Sequence, residues 1–183
     1  MILLRHAQSE FNALFSKTRI DPGIADPSLT ELGREQARAA APQVRGTAAR
    51  RIITSPYSRA LETTAILNQA LGLPVMVETI VSERGAWSCD VGTERDVLAR
   101  RWPDYDFSHL DNLWWRLAET QDQLLERCRS FHARMAAVED WPEVLVVTHW
   151  GFIRGLTGRT VQNAETVGFD PRGEPAPDPF AGL

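Results

Sequence analysis

Short apolar runs ending in polar residues alternate along this chain with longer amphipathic stretches. Met1-Ile2-Leu3-Leu4 leads into Arg5-His6, Ile52-Ile53-Thr54 into Ser55-Pro56, and Val144-Leu145-Val146-Val147 into Thr148-His149. These runs predict buried strands over 1–5, 51–54 and 144–147, the last wholly apolar and rich in β-branched residues. Val75-Met76-Val77 predicts another. Thr30 reads as the N-cap of a helix reaching about Val44, with a late kink at Pro42 and a stop at Gly46. Ser58 reads as the cap of a helix through Leu71, ended by Gly72 and Pro74, and Thr93 as the cap of a short helix over 94–101. Leu113, Leu117, Leu124, Leu125, Cys128, Phe131 and Met135 recur at helical spacing and predict one long helix or two joined ones over 112–138. A last helix starts at about Phe152. The punctuation from Asp21 to Pro27 marks a loop. After Phe169 the chain carries Pro171, Pro175, Pro177 and Pro179, which predict an extended or poorly ordered tail over 170–183.

Strands alternating with helices imply an α/β fold, a three-layer α/β/α sandwich around a mostly parallel sheet. One domain is expected over 1–169, without repeats or an internal linker. Ligands of such sheets bind beyond the carboxyl ends of the strands. Arg5-His6, Ser55-Pro56 leading to Arg59, and Thr148-His149 are therefore expected to meet.

Composition narrows the choice of ligand. The 183 residues are 43% hydrophobic and 24% charged, as in an ordinary globular domain, and the formal charge is −4. That balance disfavours nucleic acid as a partner, while a few arginines in one pocket can still hold a small anion. No apolar stretch approaches the ~20 residues of a membrane span, and the opening run is too short for a secretory signal. Cys89 and Cys128 have no metal-ligand spacing and suggest no disulfide framework. A reduced, cytoplasmic setting is the expectation.

The residue types at the strand ends suit phosphoryl chemistry. The planar fork of arginine binds a tetrahedral oxyanion in two-pronged fashion, so Arg5 and Arg59 are candidate phosphate clamps. A neutral histidine nitrogen can attack phosphorus and split one difficult displacement into two easier ones. Flanking cations offset the charge on the transferring oxygens, and a helix starting near Gly151 could add N–H donors. The leaving alkoxide calls for a nearby carboxylic acid.

Leu4-Arg5-His6-Ala7-Gln8-Ser9-Glu10-Phe11-Asn12 resembles the signature of the histidine phosphatase superfamily, also called phosphoglycerate mutase-like. Thr30-Glu31-Leu32-Gly33-Arg34-Glu35-Gln36-Ala37 is similar to that family's first helix. Ser55-Pro56-Tyr57-Ser58-Arg59-Ala60-Leu61-Glu62-Thr63 is similar to its second phosphate-binding turn, and Val147-Thr148-His149-Trp150-Gly151 to its final histidine motif. The four matches come in order and span most of the chain. The resemblance implies a phosphoglycerate mutase-like fold, with His6 as the phosphorylated nucleophile. It implies phosphoryl contacts from Arg5, Arg59 and His149, with Ser9 and Asn12 lining the pocket. It also implies an acidic proton donor after the strand at 75–77. Glu83 is the best match and Glu78 the competitor. Neither a metal nor a cofactor is implied.

Two departures bear on function. Ala7 stands where glycine is usual, and Ser88-Cys89-Asp90 follows Trp87 where the mutase branch has Glu-Gly. The expected reaction is hydrolysis of a phosphate monoester of a small metabolite, most active on the acidic to neutral side. A mutase-type phosphotransferase, a protein phosphohistidine phosphatase and a non-catalytic phospholigand-binding module are the alternatives. Specificity is expected from 13–28 and 84–115, which hold Arg19, Arg84, Trp87, Arg95, Trp114 and Trp115. Trp114 and Trp115 read equally as core or pocket wall, and Asp90 as a turn or specificity residue. His109 and His132 match no motif and read as solvent or packing residues. The oligomeric state is open, a homodimer among the options.

Overall fold

The computed structural model describes residues 1–180. Five strands form one sheet: β1 (Ile2–Arg5), β2 (Arg51–Thr54), β3 (Val75–Val77), β4 (Val144–Thr148) and β5 (Thr166–Gly168). Their order across the sheet is β3-β2-β4-β1-β5, parallel except for the antiparallel edge strand β5. Among the described residues six α-helices accompany them: α1 (Glu10–Thr18), α2 (Glu31–Arg45), α3 (Ser58–Leu71), α4 (Arg95–Arg101), α5 (Gln121–Ala136) and α6 (Trp150–Thr157).

Period-two alternation along the strands builds two cores. Leu3, Ile53, Val144 and Val146 face α5 and α6, where they meet Leu124, Cys128, Phe131 and Phe152. Leu4, Ile52, Leu145 and Val147 face α2 and α3, where they meet Ala40, Val44, Ala60 and Leu67. Both faces of the sheet are covered, which is why these strands read as unbroken apolar runs. The α/β sandwich expected from the pattern is the one observed.

The register places the candidate site residues. Arg5 pairs with Thr148 and Thr54 with Val147, so β1, β4 and β2 end at one level. The His6 amide donates to the Thr148 carbonyl at 2.8 Å and the Ser55 amide to Val147 at 3.1 Å. His6, Ser55 and His149 thus emerge side by side at the carboxyl edge.

Several local expectations are corrected. Helix α1 was not expected; Ser9 caps it in a reciprocal box with Asn12. Tyr57, not Ser58, is the N-cap of α3, and the Ser58 hydroxyl donates to Asp26 at 2.7 Å. Glu94, not Thr93, precedes α4, because the Thr93 hydroxyl also turns to Asp26, at 2.6 Å. The leucine pattern over 112–138 is helical only from Gln121. Thr120 and Gln123 form a capping box, Ala118 is left-handed at φ 54°, and Leu113 and Leu117 stay exposed. Trp114 is instead a core residue, packed in a cluster with Tyr57, Phe107 and Leu110. Helix α6 starts at Trp150, two residues early, with His149 as N-cap.

Beyond Phe169 the described residues form neither helix nor strand, yet they dock. Arg154 Nη2 donates to the Pro179 carbonyl at 2.9 Å, and Phe180 is buried with the α5–α6 cluster. Residues 181–183 of the expected tail lie outside the described residues. No helix among the described residues is long and apolar enough to cross a membrane.

Candidate active site

Above the carboxyl edge of the sheet lies a cleft of about 820 Å³, a size suited to a small organic ligand. Arg5, His6, Ser9, Asn12, Arg59 and Glu83 all line it. His149 stands behind His6, with ring centroids 5.0 Å apart. The seven residues singled out from the sequence therefore converge on one place.

His6 is 3% exposed, and its Nδ1 lies 2.7 Å from the Ala7 carbonyl. A carbonyl can only accept, so Nδ1 carries the hydrogen and Nε2 keeps its lone pair. Burial pulls the His6 pKa well below the usual imidazole value, and the Arg59 and Arg5 charges push the same way. His149 is likewise held neutral by burial, with Arg59 the next cause. Its Nε2 meets Ser55 Oγ at 2.7 Å. Among the described residues, His149 Nδ1 and Arg5 Nε are buried without a partner. Arg5 Nε, a buried donor left open on a residue that lines the cleft, fits an anionic ligand.

Arg59 projects from the first turn of α3. Asp26, left-handed at φ 37°, fixes that turn by accepting from the Ser58 amide at 2.8 Å as well as from its hydroxyl. The guanidinium donates to the Cys89 carbonyl at 2.7 Å and pairs with Asp90 at 3.1 Å, and it lies over the Tyr57 ring. Burial opposes its charge, but Asp90 and its neighbours more than offset this, leaving its pKa above the ordinary guanidinium value. Asp90 also accepts from the Ala86 and Trp87 amides at 3.1 and 3.0 Å. It thus closes the 88–90 turn and anchors Arg59 at once, the second role being invisible in sequence.

Glu83 follows a single helical turn after β3. Its Oε1 accepts from the Arg84 amide at 2.9 Å and its Oε2 from the Gly151 amide at 3.1 Å. Burial raises its pKa, the Asp90 charge adds to this, and the two backbone amides pull back. A Cβ at 151 would crowd Oε1, so a larger residue there would have to displace the carboxyl group. The α6 N-terminus therefore serves the carboxyl group, a correction to the expectation that it donates to the anion directly. Glu78 is elsewhere: it pairs with Arg134 at 3.3 Å and does not line the cleft.

Ser9 and Asn12 are bound mainly to each other, and Asn12 Oδ1 also accepts from Asn163 Nδ2 at 3.2 Å. The expected outer segments contribute Phe15, Arg19, Arg84 and Trp87 to the cleft, whereas Arg95, Trp114 and Trp115 do not reach it. Trp150, Arg154, Asn163 and Phe180 were missed as lining residues. They come from elements after β4; Trp150 and Arg154 lie in or beside the final histidine motif without a role assigned to them, and Asn163 and Phe180 match no motif.

The two buried neutral histidines predict an acid-sensitive fold. Below about pH 6.5 the unfolded chain takes up protons that native His6 and His149 refuse, so stability is lost as pH falls through that point. Each histidine can contribute up to about 1.4 kcal/mol per pH unit once its unfolded form titrates. Glu83, with its pKa raised in the fold, works in the opposite sense, one group against two. Urea unfolding compared between about pH 7.5 and about pH 5.5 checks this. The fall in stability should shrink by about half in His6→Asn.

The chain matches the family model of the histidine phosphatase superfamily (branch 1) over residues 1–170. It is 31% identical to a glucosyl-3-phosphoglycerate phosphatase of Mycolicibacterium vanbaalenii, covering 92% of this chain and 78% of that one. It is 29% identical to a 2,3-bisphosphoglycerate-dependent phosphoglycerate mutase of a Chelativorans species, over 86% and 72% of the two chains. Among solved structures, a mycobacterial glucosyl-3-phosphoglycerate phosphatase in complex with VO3 superposes with a TM-score of 0.63. The match is at 25% identity and covers 91% of this chain and 88% of the other.

Proposed function

The chain belongs to the histidine phosphatase superfamily, and on that premise we propose that it hydrolyses a small phosphate monoester through a phosphohistidine on His6. The observation that carries this reading is the His6 ring, buried, with its hydrogen committed to the Ala7 carbonyl and its neighbours cationic. Nε2 supplies its lone pair to phosphorus while the bond from phosphorus to the ester oxygen breaks. Arg5 and Arg59 hold the transferring oxygens, where charge stabilisation does most of the work, while His149 backs the His6 ring from behind. Glu83, its pKa raised by burial and the Asp90 charge, gives its proton to the departing alkoxide. Water then attacks the phosphohistidine with its proton passing to Glu83, the P–N bond breaks, and phosphate leaves with His6 and Glu83 restored.

Glu83→Gln is expected to lower kcat/KM for an alkyl phosphate by roughly 10²–10³-fold. An aryl phosphate, whose leaving group needs no proton, should lose far less. For the alkyl ester, kcat/KM of the unmodified protein should fall as pH rises through the elevated Glu83 pKa. On the acid side it should not fall near the ordinary histidine range, because His6 stays neutral there. Equal losses on both esters would remove Glu83 from the role of acid.

The mutase relative makes phosphoryl retention the competing reaction. A panel of phosphate esters, with glucosyl-3-phosphoglycerate and 3-phosphoglycerate among them, separates the two. Hydrolysis predicts steady release of inorganic phosphate without a bisphosphorylated activator. Isomerised ester with little free phosphate, dependent on such an activator, would overturn it.

A further inference from the structure

The Glu83 carboxyl sits at the end of an irregular segment, and such segments hold a side chain in place only if their backbone is tied down. Here every carbonyl from Ile80 to Glu83 is occupied. Arg127, on α5, donates from Nη1 to Ile80 and Ser82 at 2.9 and 2.8 Å, and from Nη2 to Glu83 at 3.4 Å. The Val81 carbonyl accepts from the Thr148 hydroxyl at 2.5 Å. One guanidinium thus grips three of the four.

Arg127 is itself held at the back. Its Nε and Nη2 face Glu119 Oε1 and Oε2 at 2.9 and 2.6 Å, a two-pronged pair whose side chains are 7% and 3% exposed. The Glu119 amide donates to the Gly85 carbonyl at 3.0 Å, just beyond Glu83. Gly85 in turn lies so close to Arg116 that a Cβ would come within 1.8 Å of its carbonyl oxygen. The segment carrying Glu83 is therefore fastened on both sides by one buried ion pair.

A buried ion pair is a poor way to add stability, since desolvation can exceed the attraction and an apolar pair often does as well. Its use has to be sought in what it holds. We propose that the Arg127–Glu119 pair is a positioning device for Glu83, setting the proton donor over the leaving oxygen without touching the substrate. This rests on the reading of Glu83 as general acid. A lysine at 127 keeps the charge but cannot span three carbonyls and a carboxylate, so the fork geometry is what is tested.

The test is a substrate comparison in five proteins: unmodified, Arg127→Lys, Glu83→Gln, the double variant and Glu119→Gln. The readout is kcat/KM for an alkyl phosphate divided by kcat/KM for p-nitrophenyl phosphate, which isolates the demand for an acid. Arg127→Lys is expected to lower this ratio at least about tenfold, and by less than about twofold when Glu83 is already glutamine. Glu119→Gln should lower it in the same direction, and thermal unfolding of each variant verifies that the fold survives. A loss shared equally by the two esters, or an unchanged drop in the Glu83→Gln background, would overturn the proposal. Absence of hydrolysis of either ester by the unmodified protein would instead refute the reading of the site itself, and the proposal with it.

Discussion

Replacing His6 with alanine is expected to lower phosphatase activity by at least about 10⁴-fold, as loss of an attacking side chain does in other covalent mechanisms. Nothing else at the carboxyl edge can substitute. His149 sits 5.0 Å away, behind His6, and does not line the cleft. Its Nε2 is engaged with Ser55. Cys89 does reach the cleft, but burial pushes its thiol pKa above the ordinary value, so it is a poor nucleophile. The fold should tolerate the change, because the main-chain bond from His6 to Thr148 does not need the imidazole. A phosphate-release assay on the best ester of the panel checks this, with circular dichroism to confirm folding. Retention of more than about a hundredth of the rate would point to direct attack by water.

Arg59→Ala should damage both activity and stability, since the proposed phosphoryl contact and the pair with Asp90 both depend on this side chain. Loss of a cationic contact to the transferring oxygens is expected to lower kcat/KM by roughly 10²–10³-fold. Its removal also leaves Asp90, 1% exposed, without its charge partner. Breaking a buried pair from one side typically costs about 3–5 kcal/mol, because the remaining charge stays desolvated. Arg59→Lys should fall between, keeping a charge in the cleft but losing the fork that reaches Cys89 and Asp90. Asp90→Asn distinguishes the two effects: it should lower the unfolding free energy while costing less in rate than Arg59→Ala. Unfolding midpoints and kcat/KM for the three variants check the prediction. An Arg59→Ala protein of normal stability would mean that Asp90 is satisfied by the Ala86 and Trp87 amides alone.

The parts of this molecule that were legible in sequence are those where one stretch of chain decides the outcome. The apolar runs at 1–5, 51–54 and 144–147 had to be strands buried on both faces. Their polar ends put Arg5, His6, Ser55 and His149 together. What escaped is decided through space. Asp90 read as a turn or specificity residue, because its partner Arg59 lies 31 positions away. The Arg127–Glu119 pair has a spacing of 8, yet its meaning comes from carbonyls about 45 positions earlier. Ser9 and Asn12 were read as pocket residues, and they do line the cleft, but their mutual capping box announces a helix that periodicity alone did not flag. The leucines at 113 and 117 failed for the opposite reason. Their spacing was helical, but a capping box at Thr120 starts the helix only after them.

The claim on which the rest depends is a covalent phosphoryl group on His6. It can be tested by mixing the protein with a hydrolysable ester, quenching in base within one turnover, and mapping the phosphorylated peptide by mass spectrometry. Phosphohistidine survives base and is lost in acid, unlike the oxygen esters of serine or threonine. The account predicts an acid-labile phosphoryl group on Nε2 of His6, absent from His6→Ala and accumulating in Glu83→Gln if hydrolysis of the intermediate is slowed more than its formation. Steady phosphate release with no phosphorylated histidine at any time point, or a phosphoryl group mapped to another residue, would contradict it.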